Sequence, residues 1–405
     1  MVQSRQGVYG RQRRALFGNA GFSVVAGSEI VILEIAEELI RQGWACDVVA
    51  WDIGEPMMRV AQQAGIRVLS NPCEVRPFHY DLVWLQNRLE PVLDYTPSES
   101  DAPRTFFAFA HLDRSWPLSQ PGVVAEGVLG QVFVVTSERA VERVVEGGLP
   151  REAVHMFRNA APSAFEMPSP APRKYPGRIL VVSNHPPAEV LQAATLLRAA
   201  GVEVIHWGLE GDVREQRLLP ADLAMADAVI TIGKTVPYAL RARRPAYVYD
   251  HFGGPGWLRN DNMARVAERN FSGLCCERRV DAATIATEVM EGFAAAAAEA
   301  AARDDAELAD FQLERFVASL LEMAAPTPAE HRARLAPHAV ALRAERNLAL
   351  AAGTFFAELT QVYRHLRTTR ADAEKTTTPA DRPLTPETGS SPPRQSRRWW
   401  QRIHR

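Results

Sequence analysis

At 405 residues the chain is too long for one ordinary core and suits two domains with an appendage. A formal net charge of -2 with 23% charged residues gives no overall field for nucleic acid, and four cysteines without a C-x-x-C pair argue against structural zinc and against a disulfide framework. Residues 1–14 are polar and basic without an apolar centre, and no run of about 18 apolar residues follows, so a soluble cytoplasmic protein is the default expectation.

In chain order, residues 15–23 read as a short first strand that runs into a glycine loop at Gly18, Gly21 and Gly27. Ser28 can then cap a helix to about Gln42, with Ile30, Leu33, Ile35 and Leu39 on its apolar face and Gly43 as its stop. Strands follow at 46–51, 66–69, 81–85, 105–110, 132–136 and 155–158, with helices at 55–64 and from Ser137 to the Gly147-Gly148 pair. Strand and helix alternate, as a doubly wound parallel sheet requires. Residues 161–177 shift to Pro, Ser and Ala and read as a linker. The alternation then restarts: strands at 179–182, 202–206, 228–232 and 246–249, helices at 188–200, near Ala221 and at 235–244. The fold class is α/β, two doubly wound Rossmann-like domains followed by C-terminal helices. The expected divisions are an N-terminal domain over 1–160, the linker, a second domain over 178–280, a helical extension over 281–367 and a disordered basic tail over 368–405. Within the extension, Leu348, Leu350, Phe355, Phe356, Leu359 and Tyr363 form a stripe able to lie back on the first domain.

The chemistry-bearing residues sit at predicted strand ends. A buried strand ending at Gly233 and passing into a helix at Thr235 offers free amides, a positive helix end, Lys234 and Thr235 to a diphosphate; the alternative is a plain capped helix. Gly233-Lys234-Thr235 invites a P-loop, but Ala228 stands where its first glycine is needed and the strand-like residues 228–232 argue against it. The neighbouring strand delivers Asp250, His251 and the glycine-rich loop Gly253, Gly254 and Gly256 to the same crevice, or else forms a tight turn with surface charge. Ser183, Asn184 and His185 end the second domain's first strand, where His185 either donates to phosphate or serves the helix start. In the first half, His111, Asp113 and Ser115 follow an apolar strand and can move a proton from an acceptor hydroxyl; a lone histidine there is more often structural. Gly18, Asn19 and Gly21 are only a fragment of a dinucleotide fingerprint. The ending Arg397-Arg398-Trp399-Trp400 can touch an anionic membrane surface or remain solvated.

This layout resembles the GT-B glycosyltransferases over roughly residues 15–275. The resemblance rests on Gly18 to Glu29 with the following helix, His111 after its strand, Val134-Val-Thr-Ser137, Arg158-Asn159-Ala160, Ser183-Asn184-His185-Pro186, the segment 227–236 and Tyr249-Asp250-His251-Phe-Gly-Gly-Pro-Gly256. The last three strings are similar to those of bacterial family-4-like enzymes of surface polysaccharide synthesis. The resemblance implies a hexosyltransferase working without metal or cofactor, with a nucleotide-sugar substrate on the second domain and a glycan or lipid-linked acceptor on the first. On that reading Ser183, Asn184, His185, Gly233, Lys234, Thr235, Tyr238, Asp250, His251, Gly253 and Gly254 bind the donor, Gly18, Asn19, Gly21 and Ser28 line the acceptor side, and His111 or Asp113 handles the acceptor hydroxyl. The family's two glutamates are missing, their places holding Ile230 and Tyr238, so the ribose is held differently. A nucleotide-sugar epimerase or phosphorylase on the same fold and a non-catalytic scaffold or sugar-binding protein are the alternatives.

Overall fold

The structure is a computed structural model, and it describes residues 11–112, 119–121 and 124–376. The first sheet contains β1 (Arg14–Phe22), β2 (Ala45–Ile53), β3 (Arg67–Leu69), β4 (Leu82–Gln86), β5 (Phe106–His111), β6 (Val132–Val135) and β7 (Val154–Met156), in the order β3-β2-β1-β4-β5-β6-β7 and parallel throughout. Around it lie α1 (Gly27–Arg41), α2 (Met57–Gln63), α3 (Val124–Leu129) and α4 (Glu138–Glu146). All five residues of Leu82-Val-Trp-Leu-Gln are buried, as they must be in a parallel strand covered on both faces.

The second sheet has the order β12-β11-β10-β8-β9, built from β8 (Arg178–Val182), β9 (Glu203–Trp207), β10 (Ala228–Thr231), β11 (Ala246–Asp250) and β12 (Gly253–Trp257). Its helices are α5 (Ala188–Ala199), α6 (Pro220–Ala224) and α7 (Thr235–Arg241), followed by α8 (Met263–Ala267). The two doubly wound units are those read from the alternation. Two readings of glycine change. Gly18, Asn19 and Gly21 lie inside β1, not in a loop after it, and Gly253, Gly254 and Gly256 form an antiparallel edge strand, not a ligand loop.

Four helices complete the described chain: α9 (Ala282–Ala302), α10 (Leu313–Leu321), α11 (Pro328–Leu335) and α12 (Ala339–Thr376). α9 stays with the second unit, packing on α5 and β12, whereas α10, α11 and α12 return to α1, α3 and β2 of the first. His331 shows how deep the return goes: it is fully buried, its Nε2 lies 2.9 Å from the Thr105 carbonyl, and its ring rests on Phe78 and Phe107. The expected stripe on α12 is divided between two faces. Leu342, Ala349 and Leu350 pack on the first unit, while Leu348, Phe355 and Leu359 are exposed; the Tyr363 side chain lies outside the described residues. The helix runs on to Thr376, through residues expected to be disordered, and the basic tryptophan ending lies outside the described residues. Among the described residues, no helix is long and apolar enough to cross a membrane.

The two units do not meet through a bare linker. One apolar cluster contains Phe17 and Trp84 of the first sheet, Phe157 and Phe165, Val229 and Val248 of the second sheet, and Phe316 of α10. Phe165, in the proline-rich stretch, stacks on Tyr238 with ring centroids 4.0 Å apart and planes 5° apart. An interface of this kind resists the relative domain motion expected of a polar one.

Candidate functional site

In a doubly wound sheet, ligands bind beyond the carboxyl ends of the strands where the strand order reverses. Those reversals fall between β1 and β4 in the first sheet and between β8 and β10 in the second. The two places face each other, because Asn184 after β8 donates its side-chain amide to the carbonyl of Val25 after β1, at 3.1 Å.

On the first side, Asn19 is buried and its Oδ1 accepts from the Ala20 amide at 2.9 Å and from the Asn87 amide group. Asn87 and Arg88, following β4, both hold left-handed backbone, with φ of 57° and 58°. Two consecutive non-glycine residues in that region store strain, which clusters at functional sites. Gly18 has a simpler reason: a Cβ there would lie 2.5 Å from Leu85 Cδ2. Gly21 faces the Phe356 ring, and Ser28 binds Glu29 Oε2 at 2.6 Å without capping its helix. Burial pushes Glu29 up to about 7, opposed by that hydroxyl.

His111 ends β5, with Nδ1 3.0 Å from the Ser119 carbonyl and Nε2 in close contact with Glu126 Oε1 of α3. A ring nitrogen facing a carbonyl carries the hydrogen, so Nδ1 donates to Ser119 and Nε2 is the nitrogen turned toward Glu126. Glu345 of α12 holds α3 by accepting from the amides of Val124 and Ala125 at 2.7 and 3.0 Å. Arg88, Glu90, Gln120, His111 and Glu126 line one narrow recess. Burial, then the Glu126 and Glu345 charges, push Glu90 up to about 8. Asp113 and Ser115 lie outside the described residues. Glu90, Glu126 and the Asn87-Arg88 pair carried no sequence signal; a glutamate in a short apolar helix reads as a solvated one.

On the second side, Ser183 Oγ accepts from the His185 amide at 3.2 Å, and His251 Nε2 lies 3.0 Å from the His185 carbonyl. The loop after β8 and the end of β11 therefore meet, and both histidines are exposed there.

Lys234, Thr235 and Tyr238 lie elsewhere than expected. The Lys234 ammonium, with its side chain 9% exposed, makes an ion pair at 2.6 Å with Glu34 of α1 and donates to the Ala160 carbonyl at 2.6 Å. The pair is close without hydrogen-bond alignment at Glu34 Oε2. Burial pulls the Lys234 ammonium below its ordinary range while Glu34 pulls it back. Tyr238 directs its hydroxyl to the same Glu34, and Arg217 forks onto Glu37 at 2.6 and 2.8 Å. An ammonium buried at the junction of the units requires a carboxylate and carbonyls around it. Lys234 is thus a clamp between units, not an open anion seat. Gly233 corrects likewise: its amide is committed to the Phe271 carbonyl at 3.2 Å, and Thr235 opens a helix of only seven residues.

Asp250 is also structural in this arrangement. It is buried and accepts from the amides of Phe252 at 2.7 Å and Gly273 at 2.9 Å, while burial raises its carboxyl and these amides lower it. Gly253 and Gly254 are required by backbone: a Cβ would stand 2.1 Å from the Arg278 carbonyl oxygen at the first and 2.0 Å from that of Val248 at the second. A second recess, beside the linker, holds none of the expected residues; its Arg241 is bound by Glu166 and its Arg243 by Asp305. Among the described residues there is no group of His, Cys, Asp and Glu able to hold a metal ion.

The sequence matches no protein-family model and no curated protein. Solved structures similar in shape include Anabaena Alr3699/HepE in complex with UDP-glucose, at 14% identity and TM-score 0.49, over 76% of this chain and 98% of that one. A glycosyltransferase from Rickettsia africae is similar at 12% identity and TM-score 0.46, over 77% of this chain and 97% of that one. The glycosyltransferase SnogD from Streptomyces nogalater follows at 15% identity and TM-score 0.38, over 78% and 100%.

Proposed function

We propose that this protein transfers a sugar, a hexose on the present reading, from a nucleotide-sugar to a glycan or lipid-linked acceptor. The single observation that supports it is the confrontation of two reversal points, bridged by Asn184 and Val25, with polar groups converging from both sheets. Ser183, Asn184, His185 and His251 would receive the donor, and the backbone after β8 would approach its phosphates. The Glu126 carboxylate, oriented by His111, would take up the acceptor proton, the hydroxyl entering beside the strained Asn87-Arg88 turn. Charge on the leaving diphosphate would then be met by His185 and His251, since Lys234 already faces Glu34.

The engaged Lys234 favours a second reading, a sugar-binding or scaffold protein that performs no transfer. One experiment separates them. Thermal unfolding is followed with UDP, GDP, CDP, CMP and their sugars, alongside transfer of radiolabelled sugar into a membrane extract. A transferase gains about 2.7 kcal/mol at a nucleotide concentration of 100 Kd. It loses that gain in His251→Ala combined with Ser183→Ala, and loses roughly 100-fold or more of transfer in His111→Ala with nucleotide binding intact. Absence of stabilisation by every nucleotide ends the transferase reading.

A further inference from the structure

α12 has a second apolar face that the first unit does not cover. Leu348, Phe355, Leu359, Val362 and Leu366 are between 55% and 71% exposed. With Ala352 between the first two, the spacing along the helix is 4-3-4-3-4, the alternation of a coiled-coil seam and not the wider stripe of a helix lying on a globular core. The face that does pack, Leu342, Ala349, Leu350 and Gly353 against Trp51, is offset from it by about 100° around the helix. Phe356, the last of these inner contacts, reaches Gly21. The helix continues from there for about 30 Å to Thr376, and the outer seam runs along it as far as Leu366.

We infer that this seam pairs with the same seam of a second copy of the chain, as a two-stranded coiled coil. Two observations select that occupant. Five large side chains at these exposures present roughly 500 Å² per copy, so a pair that covers them fully buries roughly 1,000 Å², the lower threshold of a specific interface and the size of a reversible one. The borders of the seam are small and nearly uncharged: between Leu348 and Leu366 only Glu358 and Arg364 carry full charge, with Ala, Gly and Thr at most other places. That suits close approach of two helices; the arginines of this stretch, Arg364, Arg367 and Arg370, gather at its far end instead of flanking the seam along its length, as they do on a helix lying on an anionic bilayer.

The test is sedimentation velocity of the full chain from 1 to 50 μM. The expected result is a dimer that becomes monomeric in Phe355→Lys/Leu359→Lys and in Val362→Lys, and remains dimeric in Leu359→Ile, with far-UV circular dichroism and melting unchanged apart from the loss of the paired helix. A wild-type monomer at 50 μM overturns the inference, as does a dimer that survives all the lysine variants. Flotation with vesicles of phosphatidylcholine and phosphatidylglycerol is run in parallel. A monomer that floats only with the seam intact assigns the face to lipid and overturns it equally.

Discussion

Replacing Lys234 with Met separates a clamp from an anion seat. In the structure the ammonium lies between Glu34, whose side chain is fully buried, and the Ala160 carbonyl at 2.6 Å. Removing one partner of a buried pair typically costs 3–5 kcal/mol, because the other is left buried and charged. Glu34 keeps the Tyr238 hydroxyl and Arg217 at 3.6 Å, which places Lys234→Met at the lower end, about 3 kcal/mol. Glu34→Gln in the same background removes the stranded charge, so the double variant recovers part of the loss and the cycle shows a coupling on the order of 1–3 kcal/mol. Urea unfolding followed by tryptophan fluorescence and by circular dichroism measures all four proteins. A Lys234→Met stability within about 0.5 kcal/mol of the parent refutes the clamp, since that is what an unpaired surface lysine awaiting a ligand would give.

Glu90 has its folded pKa raised to about 8 from 4.5, so its contribution is complete below 4.5 and is lost as pH rises toward 8; Glu90→Gln should flatten the fall in melting temperature across that interval. His331 behaves oppositely, because burial lowers its pKa from 6.5: stability is complete above 6.5 and declines as pH falls below it, and melting of His331→Gln should decline less between pH 7 and 5. Gly254→Ala forces a methyl to 2.0 Å from the Val248 carbonyl oxygen and should cost about 3 kcal/mol in urea unfolding; a neutral result would mean that β12 is not seated as described. Phe165→Ala removes a fully packed ring from Tyr238 and should cost about 3–5 kcal/mol by the same measurement.

The parallel strands were legible because each is a short apolar run between breakers, and most begin and end within a residue or two of the pattern, Leu82–Gln86 and Arg178–Val182 among them; the antiparallel β12, Gly253–Trp257, was not, because its glycines read as a loop. What could not be read is what stands opposite. A lysine after a glycine at a strand end has the same local signature whether it meets a phosphate or Glu34, which lies 200 residues earlier. Glycines at 253 and 254 signal close approach of something, and the approaching groups are the carbonyls of Arg278 and Val248. His111 was visible as a polar residue closing an apolar strand, but its partner Glu126 belongs to a helix with no distinguishing pattern. Leu348, Phe355 and Leu359 were visible as periodic, yet periodicity does not say which face meets the chain's own core.

The return of the last helices to the first unit bears on synthesis. Phe78 and Phe107 near the amino end wait for His331, and the amides of Val124 and Ala125 wait for Glu345. While a ribosome is still making the second sheet, the first therefore stands with part of its apolar surface uncovered, for roughly ten seconds or more at ordinary elongation rates. A stop codon placed after the second sheet, near residue 280, should yield an aggregating fragment and not a working half-molecule.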